Sequence, residues 1–432
     1  MNKQPAAFSF KFPRQFLWGS ATSSHQVEGG NTNNDWWEWE KQGKVKEPSG
    51  KACDHWNRFR EDFKLAKSLH HNTHRFSLEW SRIEPEEGRF SEEALSHYKE
   101  VIQSLKENGL EPIITLHHFT LPIWLSKQGG WLSKRTPELF GRYARKVVEK
   151  IGEGVRYWIT VNEPEAYIYK GFLEGAWPPG EKSYEKVWFA LAHMLKGHVE
   201  AYDAIKKASR RFSGPPVLVG VAKQVIFFTP CSPKSWRDRF SVWLRNLAFN
   251  HLFAKALTRG RFFFPGLFNI RLRRSRTLDF IGINYYTRDF VHNEGFRGPA
   301  VFGDICTLKH HREVGKRNFL SWEIYPRGLY VVVKEFSRYG LPILITENGI
   351  CIDDDAVRAD FIEGHLRELA LAMREGAPVI GYLYWSLLDN FEWAEGFAPR
   401  FGLIEVDYAT QVRKVRPSAL KFAEICASGK SP

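Results

Sequence analysis

The chain has 432 residues, of which 43% are hydrophobic, so it is long enough to bury a large core. Its 62 Lys and Arg exceed its 49 Asp and Glu, which gives a formal net charge of +13 and raises the possibility of a nucleic acid partner. The basic residues are spread along helical stretches, and only RLRRSR (271–276) forms a tight cluster, so we expect no nucleic acid partner and interpret that cluster as a solvated loop or a weak anion contact.

Eight apolar, strand-like runs recur along the chain, with amphipathic helical stretches between them. Near-continuous apolar runs, as opposed to alternating ones, indicate strands that are covered on both faces, as in a parallel sheet wrapped by helices. In chain order the runs are FLWGSAT (16–22), NTHRFSLEW (72–80), PIITLHH (112–118), RYWITVNE (156–163), PVLVGVAK (216–223), LDFIGINYY (278–286), PILITEN (342–348) and VIGYLYWS (379–386).

The helical stretches are clearest at 91–109 and 357–376. The first begins at a serine cap with acidic residues in its first turn and stops at Asn-Gly, and the second also ends on glycine. No linker, low-complexity tract or internal repeat interrupts the alternation. The pattern therefore predicts an α/β fold, a single (β/α)8 TIM barrel that spans residues 1–432 as one domain.

Polar and aromatic side chains gather at the C-terminal ends of these runs, where barrels of this type place their active sites. The fourth and seventh runs each stop at a glutamate, Glu163 in ITVNEP and Glu347 in ILITENG. A carboxylate at the mouth of a buried strand costs free energy unless something uses it, so we expect both glutamates to belong to one site. The other residues at these ends are Gln26, Glu28, Arg75, Glu79, His117, His118, Asn162, Asn284, Tyr285, Tyr286, Asn348 and Trp385.

The cysteines and histidines show no spacing typical of a metal site. Cys53, Cys231, Cys306, Cys351 and Cys426 are odd in number and far apart without a CxxC pair, which argues against both a disulfide framework and a zinc site. No ligand pattern such as HExxH occurs, and the pairs His70-His71 and His310-His311 are interpreted as surface residues. We expect no metal and no cofactor.

The N-terminal stretch MNKQPAAFSFKFPRQF has no apolar core region and no small-residue cleavage site. No window of about 18 apolar residues occurs along the sequence. These features predict a cytoplasmic protein that does not associate with a membrane.

Eight strings of residues, taken in chain order, closely resemble glycoside hydrolase family one, the β-glucosidases and β-glycosidases. They are WGSATSSHQVEG, RFSLEWSRIEP, TLHHFTLPIWL, TVNEP, GINYYT, WEIYPRGL, ITENG and YWSLLDNFEWAEGF. The resemblance runs from Phe16 to about Lys421. It implies a retaining β-glycosidase that hydrolyses terminal non-reducing β-D-glycosyl residues of small β-glycosides or oligosaccharides through a covalent glycosyl-enzyme.

The resemblance also implies roles for individual residues. Retention needs two carboxyl groups about 5–5.5 Å apart, and the family's motifs make Glu163 the acid/base and Glu347 the nucleophile. Arg75, Asn284 and Tyr286 match the residues that support catalysis. The implied sugar-binding set is Gln26, His117, Asn162, Glu392, Trp393 and Phe401, with Trp385 as a stacking platform and Trp322 on the aglycone side.

Two positions bear on the substrate. Trp393 stands where the branch of the family that cleaves phosphorylated sugars has a small hydroxyl residue, so the resemblance implies a neutral glycone, with glucose ahead of galactose or fucose. His118 stands where many relatives carry Trp. Two alternative functions remain open, namely a sugar-binding relative with weak catalysis and a predominantly transglycosylating β-glycosidase.

Overall fold

A computed structural model describes residues 10–264, 268–306 and 315–432, and its centre is a closed barrel of eight parallel strands. The strands are β1 (Leu17–Ala21), β2 (Thr73–Ser77), β3 (Glu111–His117), β4 (Tyr157–Asn162), β5 (Leu218–Pro230), β6 (Phe280–His292), β7 (Ile343–Asn348) and β8 (Val379–Trp385). Each strand pairs with the next. β8 returns to β1, with Leu17 opposite Gly381 and Ala21 opposite Trp385, which closes the barrel. The predicted fold class and all eight predicted strands are confirmed.

Apolar side chains fill the inside of the barrel, as expected for strands that alternate inward and outward positions. This inner cluster is small and buried, and its members are Ile113, Tyr157, Ile159, Ala222, Phe280, Leu344 and Leu383. A much larger apolar cluster lies between the strands and the helices around them. Because the barrel portions of the strands are covered on both faces, the polar side chains that can form a site lie at the strand ends.

The helices surround the barrel. In the described residues the α-helices are Ser24–Val27, Asp35–Lys41, His55–Ser68, Trp80–Ile83, Glu92–Glu107, Ile123–Lys127, Thr136–Ile151, Pro164–Ile168, Tyr184–Ala208, Trp236–Arg245, Leu252–Arg259, Pro326–Phe336, Asp355–Arg374 and Pro417–Ser428. Short 3₁₀ segments are Gly130–Leu132, Ser209–Arg211, Gly298–Phe302, Ser337–Tyr339 and Trp393–Glu395, and π-helical turns are Tyr169–Glu174 and Asn246–His251. None of the described helices is both long and apolar enough to cross a bilayer.

Both helices singled out from the sequence are present. Ser91 caps the first by accepting a hydrogen bond from the backbone N–H of Ala94 at 3.1 Å. The second begins two residues earlier than predicted, because Asp354 provides the cap there and accepts from the N–H of Ala356 at 3.0 Å. Carboxylate and hydroxyl caps satisfy backbone donors that a helix leaves unpaired.

Two strands extend beyond the barrel at its C-terminal end. β5 and β6 remain paired past a bulge between Val225 and Phe227, as far as Pro230 opposite Val291. The short strand Asp304–Ile305 then pairs antiparallel to the end of β6. This extension raises one side of the rim above the others. Two antiparallel hairpins, Arg261–Phe264 with Phe268–Arg271 and Ile404–Val406 with Arg413–Val415, lie outside the barrel.

The basic cluster 271–276 is a largely exposed loop after Arg271, in agreement with its interpretation as a solvated loop, and it also forms ion pairs. Arg271 belongs to a hairpin strand, and Arg273 donates to Glu200 at 3.0 Å and to Asp203 at 2.7 Å. Arg274 also pairs with Asp203, at 2.8 Å. The cluster therefore forms ion pairs with the helix Tyr184–Ala208, which neutralise part of the charge that suggested an anionic partner.

Candidate active site

The two glutamates lie at the ends of β4 and β7, and both are buried, with 7% of Glu163 and 3% of Glu347 exposed. Glu163 adopts a left-handed backbone conformation (φ 42°, ψ 58°) directly before Pro164. Such a conformation costs a non-glycine residue roughly 1–3 kcal/mol, so the surrounding structure must hold it. The backbone N–H of Glu163 donates to the carbonyl of Ala222 at 2.7 Å, which fixes this turn against β5.

Glu347 reaches the rim because β7 and β8 approach closely at their ends. A Cβ atom on Gly349 would lie 1.7 Å from the carbonyl oxygen of Trp385, so only glycine fits after Asn348. In the strand register Glu347 lies opposite Asn284 of β6. The glycine of the ITENG motif is therefore a packing requirement that positions the carboxylate before it.

Arg75 connects the ends of β4 and β7 through its side chain. Its guanidinium is fully buried and donates to Oε1 of Glu347 at 2.5 Å, to Oδ1 of Asn162 at 2.7 Å and to the hydroxyl of Thr115 at 3.0 Å. Three fixed bonds leave this side chain a single orientation. A buried cation in contact with a carboxylate favours the ionised form of that carboxylate.

Asn284 completes the connection to Glu163. The hydroxyl of Thr346 donates to Oδ1 of Asn284 at 2.6 Å, which turns the amide nitrogen toward the glutamates. That nitrogen donates to Oε1 of Glu163 at 2.8 Å and to Oδ1 of Asn162 at 3.1 Å. Because Asn162 also accepts from Arg75, one continuous network joins Glu163 to Glu347. The structure thus brings both glutamates together with their predicted neighbours.

The two carboxyl groups have different partners and therefore different proton affinities. Burial, and next the negative charge of Glu347, raise the pKa of Glu163 to about 8, against the opposing effects of Asn284 and Arg75. Burial also raises the pKa of Glu347, but Arg75 and the Tyr286 hydroxyl, which donates to Oε2 at 2.6 Å, oppose that rise. Arg75 and Tyr286 thus favour the ionised form of Glu347, and the negative charge of Glu347 favours the protonated form of Glu163.

An aromatic wall stands beside Glu347. Trp385, Tyr286 and Phe401 pack in one apolar cluster, and Trp322 is half-buried against it. The ring centroids of Tyr286 and Trp322 are 5.5 Å apart, and those of Trp322 and Phe401 are 6.4 Å apart. The indole N–H of Trp385 points to Oε1 of Glu392 at 3.4 Å. This wall is an apolar surface of mutually tilted rings with a carboxylate at its edge. Pockets that bind small molecules combine apolar surface with a few polar groups in this way.

Gln26 and Glu392 form the polar end of this wall. The Gln26 amide nitrogen donates to Oδ1 of Asn390 at 2.9 Å and to the carbonyl of Phe391 at 2.8 Å, so its side chain has one orientation. Burial raises the pKa of Glu392 well above its ordinary value, and hydrogen bonds from Trp385 and Gln26 oppose this. Trp393 packs against Trp36 with a centroid distance of 4.6 Å.

Two adjacent histidines end β3, and both reach the site. The indole of Trp131 donates to Nε2 of His117 at 3.3 Å, while the Nδ1 atoms of His117 and His118 have no hydrogen-bond partner among the described residues. His118 contacts the Asn162 amide at 3.2 Å and its ring is nearly parallel to that of Trp385, 5.9 Å away. Burial lowers the pKa of both rings, that of His117 to about 3, so both are neutral. No role was predicted for His118, although its position at a strand end indicated one.

A buried ion pair next to Glu163 was not predicted. Lys223, on β5, donates to Oε1 of Glu165, and both side chains are almost fully buried. Burial lowers the pKa of Lys223, and the negative charges of Glu165 and Glu163 oppose this. Lys223 ends the fifth predicted run, and a lysine at the end of a buried apolar run is the feature of the sequence that indicates a buried ion pair.

Two cysteines that are far apart in the sequence meet in the fold. The Sγ atoms of Cys231 and Cys306 are 3.5 Å apart and lie beside His292. The surface interpretation of the histidine pairs is wrong for His71, which is buried because it packs against Phe422 and lies within 3.4 Å of Ser20. The pair His310-His311 lies outside the described residues.

Comparisons with known proteins agree with this geometry. The profile of glycosyl hydrolase family 1 matches residues 8–430. The chain is 32% identical to β-glucosidase A of Thermotoga maritima, over 96% of this chain and 97% of that protein. It is also 32% identical to a β-galactosidase of Pyrococcus woesei, again over 96% and 97% of the two chains. The solved structure of a β-glycosidase from Pyrococcus horikoshii, 40% identical, superimposes with a TM-score of 0.90 over 98% of this chain and 97% of that one. The chain therefore belongs to glycosyl hydrolase family 1, a family of retaining β-glycosidases.

Proposed function

We propose that the chain hydrolyses terminal non-reducing β-D-glycosyl residues of small β-glycosides and oligosaccharides, with Glu347 as the nucleophile and Glu163 as the acid/base. The observation that carries this assignment is the unequal distribution of partners. Arg75 and Tyr286 each donate to one oxygen of Glu347, whereas Glu163 accepts from the neutral amide of Asn284. The ionised carboxylate is the one able to attack.

In the first step Glu347 attacks the anomeric carbon as Glu163 donates its proton to the leaving oxygen. Burial and the charge on Glu347 raise the pKa of Glu163 to about 8, so Glu163 is protonated at neutral pH. Once Glu347 is esterified its negative charge is gone, and the pKa of Glu163 falls. Glu163 then takes a proton from water, which attacks the same carbon and releases the sugar with its β configuration retained.

The remaining residues of the site would hold the sugar. Gln26, Asn162, His117 and Glu392 present fixed hydrogen-bonding groups, while Trp385, Phe401 and Trp393 provide apolar surface. Asn162 lies between Arg75 and Asn284, so its amide would bond the 2-hydroxyl next to the reacting carbon. We add His118 to this set, since its ring contacts the Asn162 amide and lies nearly parallel to the ring of Trp385.

Glucose is the proposed glycone, with galactose next. Glu392 lies at the edge of the Trp385 ring, and a carboxyl group there can bond a 4-hydroxyl in either the equatorial or the axial orientation. The names of the relatives, β-glucosidase and β-galactosidase, support both sugars. Trp322 would face the aglycone, because it continues the wall beyond Tyr286.

We also propose that residues 1–432 form one catalytic domain. The barrel strands run from Leu17 to Trp385, and the helix Pro417–Ser428 packs Phe422 against Trp18 and Tyr382 of the barrel. A cytoplasmic location is the proposed compartment, supported by five cysteines that are odd in number and include no CxxC pair. A sugar-binding protein without catalysis is not favoured, since both glutamates and their hydrogen-bond partners are in place.

A panel of p-nitrophenyl β-glycosides tests this proposal. We expect p-nitrophenol release from the glucoside, a slower or similar rate with the galactoside, and loss of both rates in Glu347→Ala. Glu424→Gln, which changes an exposed glutamate on the last helix, is the matched control and should retain full activity. Absence of release from every sugar in the panel would contradict the proposal, and so would an active Glu347→Ala variant.

A further inference from the structure

Three potential metal ligands converge where β5 and β6 end above the barrel. His292 is the last residue of β6, Cys231 follows the last residue of β5, and Cys306 follows the short strand Asp304–Ile305. Their ligand atoms all lie within 4.8 Å of one another, and the two Sγ atoms are 3.5 Å apart. Cys306 is buried, while Cys231 and His292 are partly accessible, so an ion could enter from solvent.

The backbone places the two cysteines on opposite sides of β6. The N–H of Cys231 donates to the carbonyl of Val291 at 2.8 Å, and the N–H of Cys306 donates to the carbonyl of Phe290 at 2.7 Å. Successive carbonyls of a strand point to opposite edges, and neighbouring strands lie about 4.8 Å apart, so the two Cα atoms are separated by roughly 9 Å. A disulfide needs Cα atoms about 4.4–6.8 Å apart. The two thiols therefore meet at their tips without the backbone geometry of a disulfide.

The arrangement fits a tetrahedral metal instead. With Zn–S bonds of about 2.3 Å, two thiolates on one tetrahedral ion lie about 3.8 Å apart, close to the observed separation. Nε2 of His292 contacts the carboxylate of Glu294. A carboxylate in this position orients a metal-binding imidazole through its second nitrogen, so Nδ1 would be the ligating atom.

The loops that carry these residues are already held in place. The Asp238 carboxylate accepts from the N–H of Ser232 at 2.9 Å and from the N–H of Asn293 at 3.1 Å, so one side chain fixes the neighbours of Cys231 and His292. The Asn293 amide donates to the hydroxyl of Ser241 on the same helix at 2.9 Å. Such fixed positions reduce the ordering cost of binding an ion.

We propose that Cys231, His292 and Cys306 bind a zinc ion as a structural site, with water as the fourth ligand. Binding releases the two thiol protons to solvent and forms two Zn–S bonds and one Zn–N bond. The ion would tie the ends of three strands together. β6 also carries Asn284 and Tyr286, and its Arg288 holds Glu323 at 2.6 Å beside Trp322, so the site would brace the aglycone side of the rim.

Metal content tests the proposal. The chain is purified under a phosphine reductant, exposed to zinc, dialysed and measured for bound metal. We expect about one zinc per chain, falling below about a tenth in Cys231→Ser and in Cys306→Ser. Cys426→Ser, which alters a cysteine in the last helix, is the control and should retain the full equivalent. Failure of the unaltered chain to retain zinc would overturn the proposal, and so would retention of the full equivalent by both variants.

Cobalt provides a readout in the unaltered protein. Co²⁺ bound by two thiolates and an imidazole in a tetrahedron should produce sulfur-to-metal charge-transfer and intense visible bands, and a chelator should abolish them and lower the thermal midpoint. Weak octahedral bands, or their absence, would contradict the site. The remaining alternative is a disulfide between Cys231 and Cys306. Mass spectrometry of protein purified without reductant detects it, and a disulfide as the stable state would contradict a metal site.

Discussion

Tyr286 donates its hydroxyl to Oε2 of Glu347 at 2.6 Å, on the carboxylate oxygen that Arg75 does not contact. Each oxygen of this carboxylate thus has its own donor, one of them cationic. Glu163 has no such cation at hydrogen-bond distance within the described part of the chain, and accepts from the Asn284 amide. The proposed division of roles, a charged nucleophile and a protonated acid, follows from this difference.

The pH dependence of kcat/KM should be bell-shaped. Glu163 acts in its protonated form, so activity is present below its pKa of about 8 and falls as pH rises through that value. Glu347 acts in its ionised form, so activity also falls at low pH as that carboxylate takes up a proton. Initial rates on p-nitrophenyl β-glucoside across the pH range measure both limbs. A rate that stays constant well above pH 8 would contradict the role of Glu163.

Tyr286→Phe should move the acid limb. The substitution removes a hydrogen bond to a charged group, worth about 1.5–3 kcal/mol, and this bond lowers the pKa of Glu347. We therefore expect kcat/KM to fall roughly 10- to 100-fold and the acid limb to shift to higher pH. The matched control is Tyr184→Phe, since that tyrosine is exposed. An unchanged acid limb would show that Tyr286 does not act on Glu347.

Glu163→Gln should make the rate depend on the leaving group. Removing a general acid costs about 10²- to 10⁴-fold when the leaving group needs a proton, and little when it does not. In this variant kcat/KM should collapse for an alkyl β-glucoside and stay close to that of the unaltered enzyme for a dinitrophenyl β-glucoside. The alkaline limb of the pH profile should disappear. Equal losses for both substrates would point to a structural defect instead.

Lys223→Met should destabilise the protein strongly, because it leaves the Glu165 carboxylate buried without its cation. Breaking one side of a buried pair costs about 3–5 kcal/mol, whereas replacing both partners with neutral groups is often close to neutral. Urea unfolding of Lys223→Met and of the double variant Lys223→Met/Glu165→Gln measures the difference. A single variant as stable as the original chain would show that the pair contributes nothing.

The fold could be predicted largely because the barrel strands are covered on both faces and therefore read as uninterrupted apolar runs. The ends of β5 and β6 were not predicted, since beyond Gln224 the side chains are only partly covered and the apolar signal weakens. The two glutamates could be located in the same way, because each stands at the end of an uninterrupted apolar run, Glu163 after Asn162 and Glu347 before Asn348.

Contacts between distant residues could not be predicted in the same way. Glu165 and Lys223 are 58 residues apart, and Cys231 and Cys306 are 75 residues apart. Sequence rules for metal ligands and ion pairs detect residues that are close along the chain. The Glu165 and Lys223 pair forms only because β5 lies beside β4, and the two cysteines meet only because Asp304–Ile305 pairs with β6. His118 was located at the rim, but its contact with Asn162 depends on the register of two strands.

Covalent labelling tests the central assignment most directly. A 2-deoxy-2-fluoro-β-glucoside with a good leaving group should glycosylate the enzyme faster than the sugar is released, because the fluorine destabilises both transition states while the leaving group assists only the first. We predict one fluoroglucosyl group per chain, attached to Glu347 in the peptide that contains ITENG, and none in Glu347→Ala. A label on Glu163 or on another residue, or unlabelled enzyme that releases the sugar as its α anomer, would contradict the account.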